Sequence, residues 1–144
     1  MSGQPFLLRK ATPADQPRIT AIRMAVTENV LSDPSKVSDE EVAWYREQAI
    51  FLVAEVDGVV AGFTCANHQT GLIWALFLDR DFERRGIGRA LLDAALASLA
   101  EAGHRQAWLT TGAGTRAERF YRAHGWRDMG REPGGQIVFV KPLN

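Results

Sequence analysis

This 144-residue chain contains one cysteine, Cys65, so no disulfide can form within it, and a reducing, cytoplasmic compartment is expected. No apolar run approaches the roughly 18 residues that a membrane-crossing helix needs. The amino terminus, Met1-Ser2-Gly3-Gln4-Pro5, lacks the basic-then-apolar order of a secretory leader. An excess of one charge is also missing: 17 basic and 17 acidic side chains balance. Without a basic stripe, neither nucleic acid nor an anionic membrane is expected as a partner. His68, His104 and His124 have no metal-ligand spacing, so no metal is expected. What remains is a chain of ordinary globular composition. Its length suits a single domain over residues 1–144 that buries roughly 70% of its unfolded surface.

The hydrophobic pattern divides into short elements. Phe6 to Lys10 reads as a strand, and Thr12-Pro13-Ala14-Asp15 as a helix start, with Ile19, Ile22, Arg23 and Val26 at helical spacing until about Asn29. Leu31-Ser32-Asp33-Pro34 is a turn, and Ser38-Asp39-Glu40-Glu41 opens a second helix running to about Ala49. From Phe51 the period becomes two. Strands are expected over Phe51 to Val56 and Val59 to Gln69, around the hairpin signal Asp57-Gly58. The apolar run Leu72 to Leu78 follows, then a helix over Gly88 to Ala102 stopped by Gly103. Gln106 to Thr111 returns as a strand, Thr115 to His124 as a short helix, and Trp126 to Arg131 and Gln136 to Lys141 as closing strands. The order β-α-α-β-β-β-α-β-α-β-β predicts an α/β (α+β) protein built on a mixed, mostly antiparallel sheet of six or seven strands with about four helices. The unit from Leu72 to Thr111 is its parallel, right-handed crossover.

The most telling segment is Glu83-Arg84-Arg85-Gly86-Ile87-Gly88-Arg89. Strand, glycine turn and helix start together make an anion site, because free backbone amides and the positive end of the helix dipole meet there. Arg84, Arg85 and Arg89 add charge. A dinucleotide fold would place a third glycine where Leu91 stands, and a P-loop needs Gly-Lys-Ser/Thr, which is absent. A plain turn with solvated arginines is the competing structural explanation. A second segment, Thr115 to Trp126, lies about 30 residues downstream.

Together the two segments resemble the GNAT-superfamily N-acetyltransferases. That family carries Arg/Gln-x-x-Gly-x-Gly/Ala between its fourth strand and third helix. Its later Ala-x-x-Phe-Tyr-x-x-x-Gly-Phe segment is matched by Ala117, Phe120, Tyr121, Gly125 and Trp126. The likeness runs from Phe6 to about Lys141. The chain departs from the family pattern at Glu83, Arg80 and Gly114. Glu83 cannot donate to phosphate when ionised, which leaves that role to Arg84 or Arg85.

The resemblance implies the GNAT fold, with splayed fourth and fifth strands, and acetyl-CoA as cosubstrate. The backbone around Leu76, Phe77 and Leu78 would bond its pantetheine arm, and amides from Arg84, Arg85, Gly86, Ile87, Gly88 and Arg89 would hold its pyrophosphate. The acceptor would be a primary amine, of a small molecule rather than a protein, attacking directly in a ternary complex. Such an amine, of pKa about 10.4, must lose a proton before it attacks. Tyr121 matches the family's general acid for the leaving thiolate. Full transfer from an ordinary phenol to a thiolate would be uphill by about 2 kcal/mol, so a hydrogen bond to the sulfur is the milder version of that role. Tyr121 also belongs to a stripe, Ala117, Phe120, Tyr121 and His124, for which plain core is the competing explanation; the acid role is the preferred reading.

Acceptor sites in this family use the first two helices, their connection and residues on the fourth and fifth strands. Glu28 is the first candidate for a base or amine-binding carboxylate, with a solvated helix end or a base acting through water as alternatives. Asn29, Asp33 and Trp74 are the remaining acceptor candidates. Cys65 and His68 fall on opposite strand faces, so a covalent cysteine route is not expected; Cys65 shares a face with Phe63 and Ala61 as core. Two alternatives stay open: a non-catalytic acyl-CoA-binding or regulatory domain, and transfer of a longer acyl group. Exposed last strands often pair in this family, so a homodimer is compatible with the chain.

Overall fold

The computed structural model describes residues 6–25 and 39–143. Seven strands of the described residues form one sheet: β1 (Leu7–Lys10), β2 (Ile50–Val56), β3 (Val59–Asn67), β4 (Leu72–Leu78), β5 (Gln106–Thr111), β6 (Arg127–Arg131) and β7 (Ile137–Pro142). Their spatial order is β1-β2-β3-β4-β5-β7-β6. Every neighbouring pair is antiparallel except β4 and β5. Among the described residues, four helices cover the faces: α1 (Gln16–Ala25), α2 (Asp39–Gln48), α3 (Ile87–Glu101) and α4 (Arg116–Ala123). The expected mixed α/β architecture is therefore present. The first helix begins later than its start signal, because Pro13–Asp15 forms a 3-10 turn. Asp15 fixes that turn by accepting the Thr12 amide at 2.7 Å and both arms of the Arg9 guanidinium at 2.9 Å.

Two apolar layers hold the sheet. On one face Leu91, Leu92, Ala95 and Leu99 of α3 pack with Ala107, Leu109, Tyr121, Trp126 and Phe139. On the other, Ile19 and Ile22 of α1 and Val42 and Tyr45 of α2 pack on Phe51, Phe63, Cys65 and Phe77. Strict alternation would keep Ala61 with Phe63 and Cys65. Instead Ala61 packs in the α3 layer, because pairing slips between Ala54 and Glu55 and leaves Ala61 as an extra residue in β3. The same device acts in β4. Pairing passes from Cys65↔Ala75 to Ala66↔Ile73, so Trp74 is the extra residue. Trp74 then joins Ala75 and Phe77 in the α1–α2 layer, while Ile73 and Leu76 face α3.

The feature that shapes the site is where β4 and β5 stop pairing. Their ladder contains one pair, Leu72↔Trp108, after which the strands diverge. The Asp79 amide donates to Ala61 O at 2.8 Å, on the β3 side. Alternation along the strand turns the amides of Leu78 and Leu76 the other way, into the opening towards β5.

Candidate active site

A cleft of about 720 Å³ opens at the carboxyl end of β4, within the range typical of small-molecule sites. Its floor is Leu76, Phe77 and Leu78, and its rim is the turn into α3 with Glu83, Arg84, Gly86, Ile87, Gly88 and Arg89. The turn is built from two left-handed residues. Gly86 has φ 79° at the N-cap of α3, a conformation glycine reaches freely. Arg84 has φ 67°, which costs a non-glycine residue about 1 kcal/mol. The first helical bond of α3 runs from Ala90 N–H to Gly86 O at 3.0 Å. The amides of Ile87, Gly88 and Arg89 therefore have no partner within the helix and stand at the positive end of its dipole.

Charge in the cleft is strongly one-sided. Arg18, Arg80, Arg84, Arg89 and Arg116 line it against two carboxylates, Asp79 and Glu83. Both carboxylates are engaged: Glu83 accepts from Arg116 at 3.3 Å, and Asp79 forms an ion pair with Arg18. Partial burial pushes the Asp79 carboxyl up, but the Asp81 amide and the Arg18 guanidinium outweigh it and hold the group below its ordinary value. Both acids are thus committed to arginines, and the cleft keeps a net positive field for an anionic ligand.

Of the nine residues expected to bind a cofactor, eight line this cleft. Arg85 does not: its guanidinium sits 5.2 Å from the centre of the Phe82 ring. Phe77 contributes differently from its neighbours, because its carbonyl points at Gly62 of β3, within 2.8 Å of where a Cβ on Gly62 would stand. Main-chain donors into the opening therefore come from Leu76 and Leu78.

Tyr121 is 1% exposed and is absent from the residues lining the cleft. Its ring meets Phe120 edge-on at 5.2 Å and Trp126 at 5.4 Å, and burial pushes its phenol well above the ordinary range. Phe120 and His124 line the cleft in its place, their rings 4.2 Å apart and tilted by 32°. His124 Nδ1 lies 2.7 Å from Phe120 O, which can only accept, so Nδ1 carries the proton and Nε2 the lone pair in the neutral ring. Trp74 does not line the cleft either. Its ring stacks flat on Tyr45 at 4.2 Å in the α1–α2 layer. Glu28, Asn29 and Asp33 lie outside the described residues.

Several lining residues have no motif in the sequence. Arg18, Ala21, Ile22 and Ala25 form one stripe of α1 that closes the cleft, and Arg116 comes from the start of α4. The 3.6-residue spacing of the α1 stripe was visible, but a short apolar stripe reads as core. Cys65 is fully buried, which pushes its thiol well above the ordinary range and keeps it from acting as a nucleophile. Among the described residues no group of three His, Cys, Asp or Glu side chains could hold a metal, and no helix is long and apolar enough to cross a membrane.

Residues 18–126 match the family model described as the Acetyltransferase (GNAT) family. The chain belongs to the GNAT acetyltransferase family. A curated relative, the mycothiol acetyltransferase of Clavibacter sepedonicus, is 37% identical over 89 residues, or 60% of this chain. The match spans 29% of that protein's length, so this chain corresponds to a minor part of it. Among solved structures, a GCN5-related N-acetyltransferase from Rhodopseudomonas palustris aligns with a TM-score of 0.81 over 99% of both chains, at 22% identity. The PaiA N-acetyltransferase of Thermoplasma acidophilum, solved with coenzyme A, aligns with a TM-score of 0.81 over 96% of this chain and 99% of that one, at 18% identity. These GNAT likenesses accord with the splayed β4–β5 pair and the amide cradle before α3.

Proposed function

We propose that this protein transfers the acetyl group of acetyl-CoA to the primary amine of a small molecule by direct attack in a ternary complex. The observation that carries the reading is continuity: the α3 amides and the unpaired edge of β4 open into one cleft. A diphosphate held by the amides of Ile87, Gly88 and Arg89 would let the pantetheine arm run along β4 as an added strand. Leu76 and Leu78 would bond that arm through their main chain, and one of their amides would polarise the thioester oxygen. Arg84, Arg89 and Arg116 would balance the phosphate charge, with Arg116 released from Glu83. The Phe120–His124 wall suits a flat ring such as adenine.

In the reaction the amine lone pair attacks the thioester carbon, the C–S bond breaks, the thiolate leaves and the attacking nitrogen loses a proton. Glu28 remains the candidate to receive that proton. Tyr121, its phenol pushed up by burial, would be too weak an acid to give its proton fully to a thiolate of ordinary pKa about 8.5. Its role in this reading is a hydrogen bond to the sulfur as charge develops. Accordingly Tyr121→Phe should lower kcat at least tenfold, by about 1.5 kcal/mol or more, with acetyl-CoA affinity unchanged. Unchanged turnover would make Tyr121 a core residue.

The burial of Tyr121 favours a second reading, an acyl-CoA-binding domain without transfer activity. Titration calorimetry with acetyl-CoA, CoA and dephospho-CoA, together with thiol release across an amine panel, separates the two. Tight acetyl-CoA binding with amine-dependent thiol release supports the enzyme. Tight binding with no release supports the second reading, and comparably weak binding of all three ligands refutes both.

A further inference from the structure

A buried cation next to the cleft has more hydrogen-bond donors than partners. Arg23, in the last turn of α1, has a side chain only 7% exposed. Its Nη2 donates to Asp39 at 2.7 Å, while Nε and Nη1 are buried with no hydrogen-bond partner among the described residues. Asp39 itself is 76% exposed and is the first residue of α2. A cation in the last turn suits the dipole of α1, but that explains an exposed or fully paired arginine equally well. It does not explain two buried donors without acceptors, which are among the costlier arrangements a fold can keep.

The position of Arg23 suggests what completes it. Arg46 of α2 donates to Gln16 at 2.6 Å, and Arg23 reaches Asp39, so α1 and α2 run antiparallel with the buried Arg23 at one end of their seam and the half-buried Arg46 at the other. Arg46 pairs with Glu47 at 3.5 Å and leaves its Nε without a hydrogen-bond partner among the described residues. α1 borders the cleft from Arg18 to Ala25, and Arg23 lies directly behind the lining residues Ile22 and Ala25. Ile22 and Ala25, on either side of Arg23 in the chain, both line the cleft that the proposed activity assigns to acetyl-CoA. A guanidinium offers two edges, Nε/Nη2 and Nη1/Nη2, and a carboxylate on either would engage one of the unpartnered nitrogens beside the bond to Asp39.

Building on the acetyltransferase reading, we propose that Arg23 receives a carboxylate of the acceptor, so that the substrates are small amines carrying an acid group. The amine would then lie towards the cleft and the acid towards the α1–α2 seam. Selectivity follows from the same energetics: an amine without the acid leaves the buried donors unpaired.

The test uses matched pairs, each an ω-amino acid and the alkylamine of equal chain length, from glycine with ethylamine to 5-aminopentanoate with pentylamine. Acetyl-CoA-dependent thiol release is measured for wild type, Arg23→Gln and Arg23→Lys, with acetyl-CoA affinity as the control for an intact cleft. For at least one pair, wild-type kcat/KM should favour the acid by about 10- to 100-fold, the worth of one or two charge-assisted hydrogen bonds. Arg23→Gln should erase that ratio and Arg23→Lys should keep part of it. Equal turnover within every pair by wild type overturns the proposal, whatever the variants do. If no amine is turned over, the transferase reading fails separately. Calorimetry then decides the Arg23 assignment alone. N-acetyl-β-alanine binding in the presence of CoA, tighter than that of N-propylacetamide and lost in Arg23→Gln, supports it; equal binding of the two overturns it.

Discussion

Gly88 gives the sharpest test of the cradle, because its two expected effects have opposite signs. It is the second residue of α3, has no left-handed backbone angle, and a Cβ built on it meets nothing within 4 Å. Nothing in the fold requires a glycine there. Replacing it with alanine should stabilise the free protein by about 0.5 kcal/mol, because glycine loses more backbone entropy on entering a helix. For a domain of this size that raises Tm by about 1–3 °C. The added methyl would project into open space at the cleft rim, where the account places a phosphate close to the main chain. Losing one amide–phosphate bond, at about 1.5–3 kcal/mol, weakens acetyl-CoA binding by about 10- to 100-fold. Differential scanning fluorimetry and titration calorimetry on the same preparations read both numbers. A variant that is more stable and binds acetyl-CoA as well as wild type does would refute the placement of the phosphates at this helix.

Two predictions concern the frame of the site. At Gly62 a Cβ would stand 2.8 Å from Phe77 O, a main-chain atom with little freedom to move. Gly62→Ala should cost about 1–3 kcal/mol and lower Tm, and it should weaken acetyl-CoA binding by displacing β4; an unchanged Tm would show that β3 and β4 separate easily. Asp15 has its carboxyl held below the ordinary value chiefly by Arg9, against opposing burial and with help from the Thr12 amide. A depressed carboxyl stabilises the fold above its unfolded value of about 3.9, and that stability is lost as pH falls through the folded value. Thermal melts from pH 7 to pH 2 should therefore show Asp15→Asn well below wild type at neutral pH, with the gap closing under pH 4; a constant gap would contradict the linkage.

Much of this molecule was legible in the sequence because its elements are locally punctuated. Asp57-Gly58 marked the β2–β3 hairpin, and Leu91, Leu92, Ala95, Leu96 and Leu99 marked the buried side of α3. Gly86 and Gly88 marked the turn into α3, and eight of the nine residues expected to bind a cofactor line the cleft it borders. What escaped depended on tertiary geometry. The bulges at Ala61 and Trp74 break a period of two without any sequence mark, so Ala61 changed layers and Trp74 stacked on Tyr45. Arg85 looked like its neighbours, but one step round the turn brought it onto Phe82. In the stripe Phe120, Tyr121 and His124 the site role was preferred with core as the alternative, and Tyr121 packs inward against Trp126 and Phe139. Arg23, at a helical core position, gave no sign that its guanidinium would be buried half-partnered.

The central claim is that main-chain amides before and within the first turn of α3 bind the diphosphate of acetyl-CoA. The most direct measurement is a titration of ¹⁵N-labelled protein with acetyl-CoA followed in amide correlation spectra. The account predicts that Gly86, Ile87, Gly88 and Arg89 show the largest downfield amide-proton shifts, with Leu76 and Leu78 moving at the same ligand concentration. Saturable binding that leaves those six amides in place while others shift would contradict it.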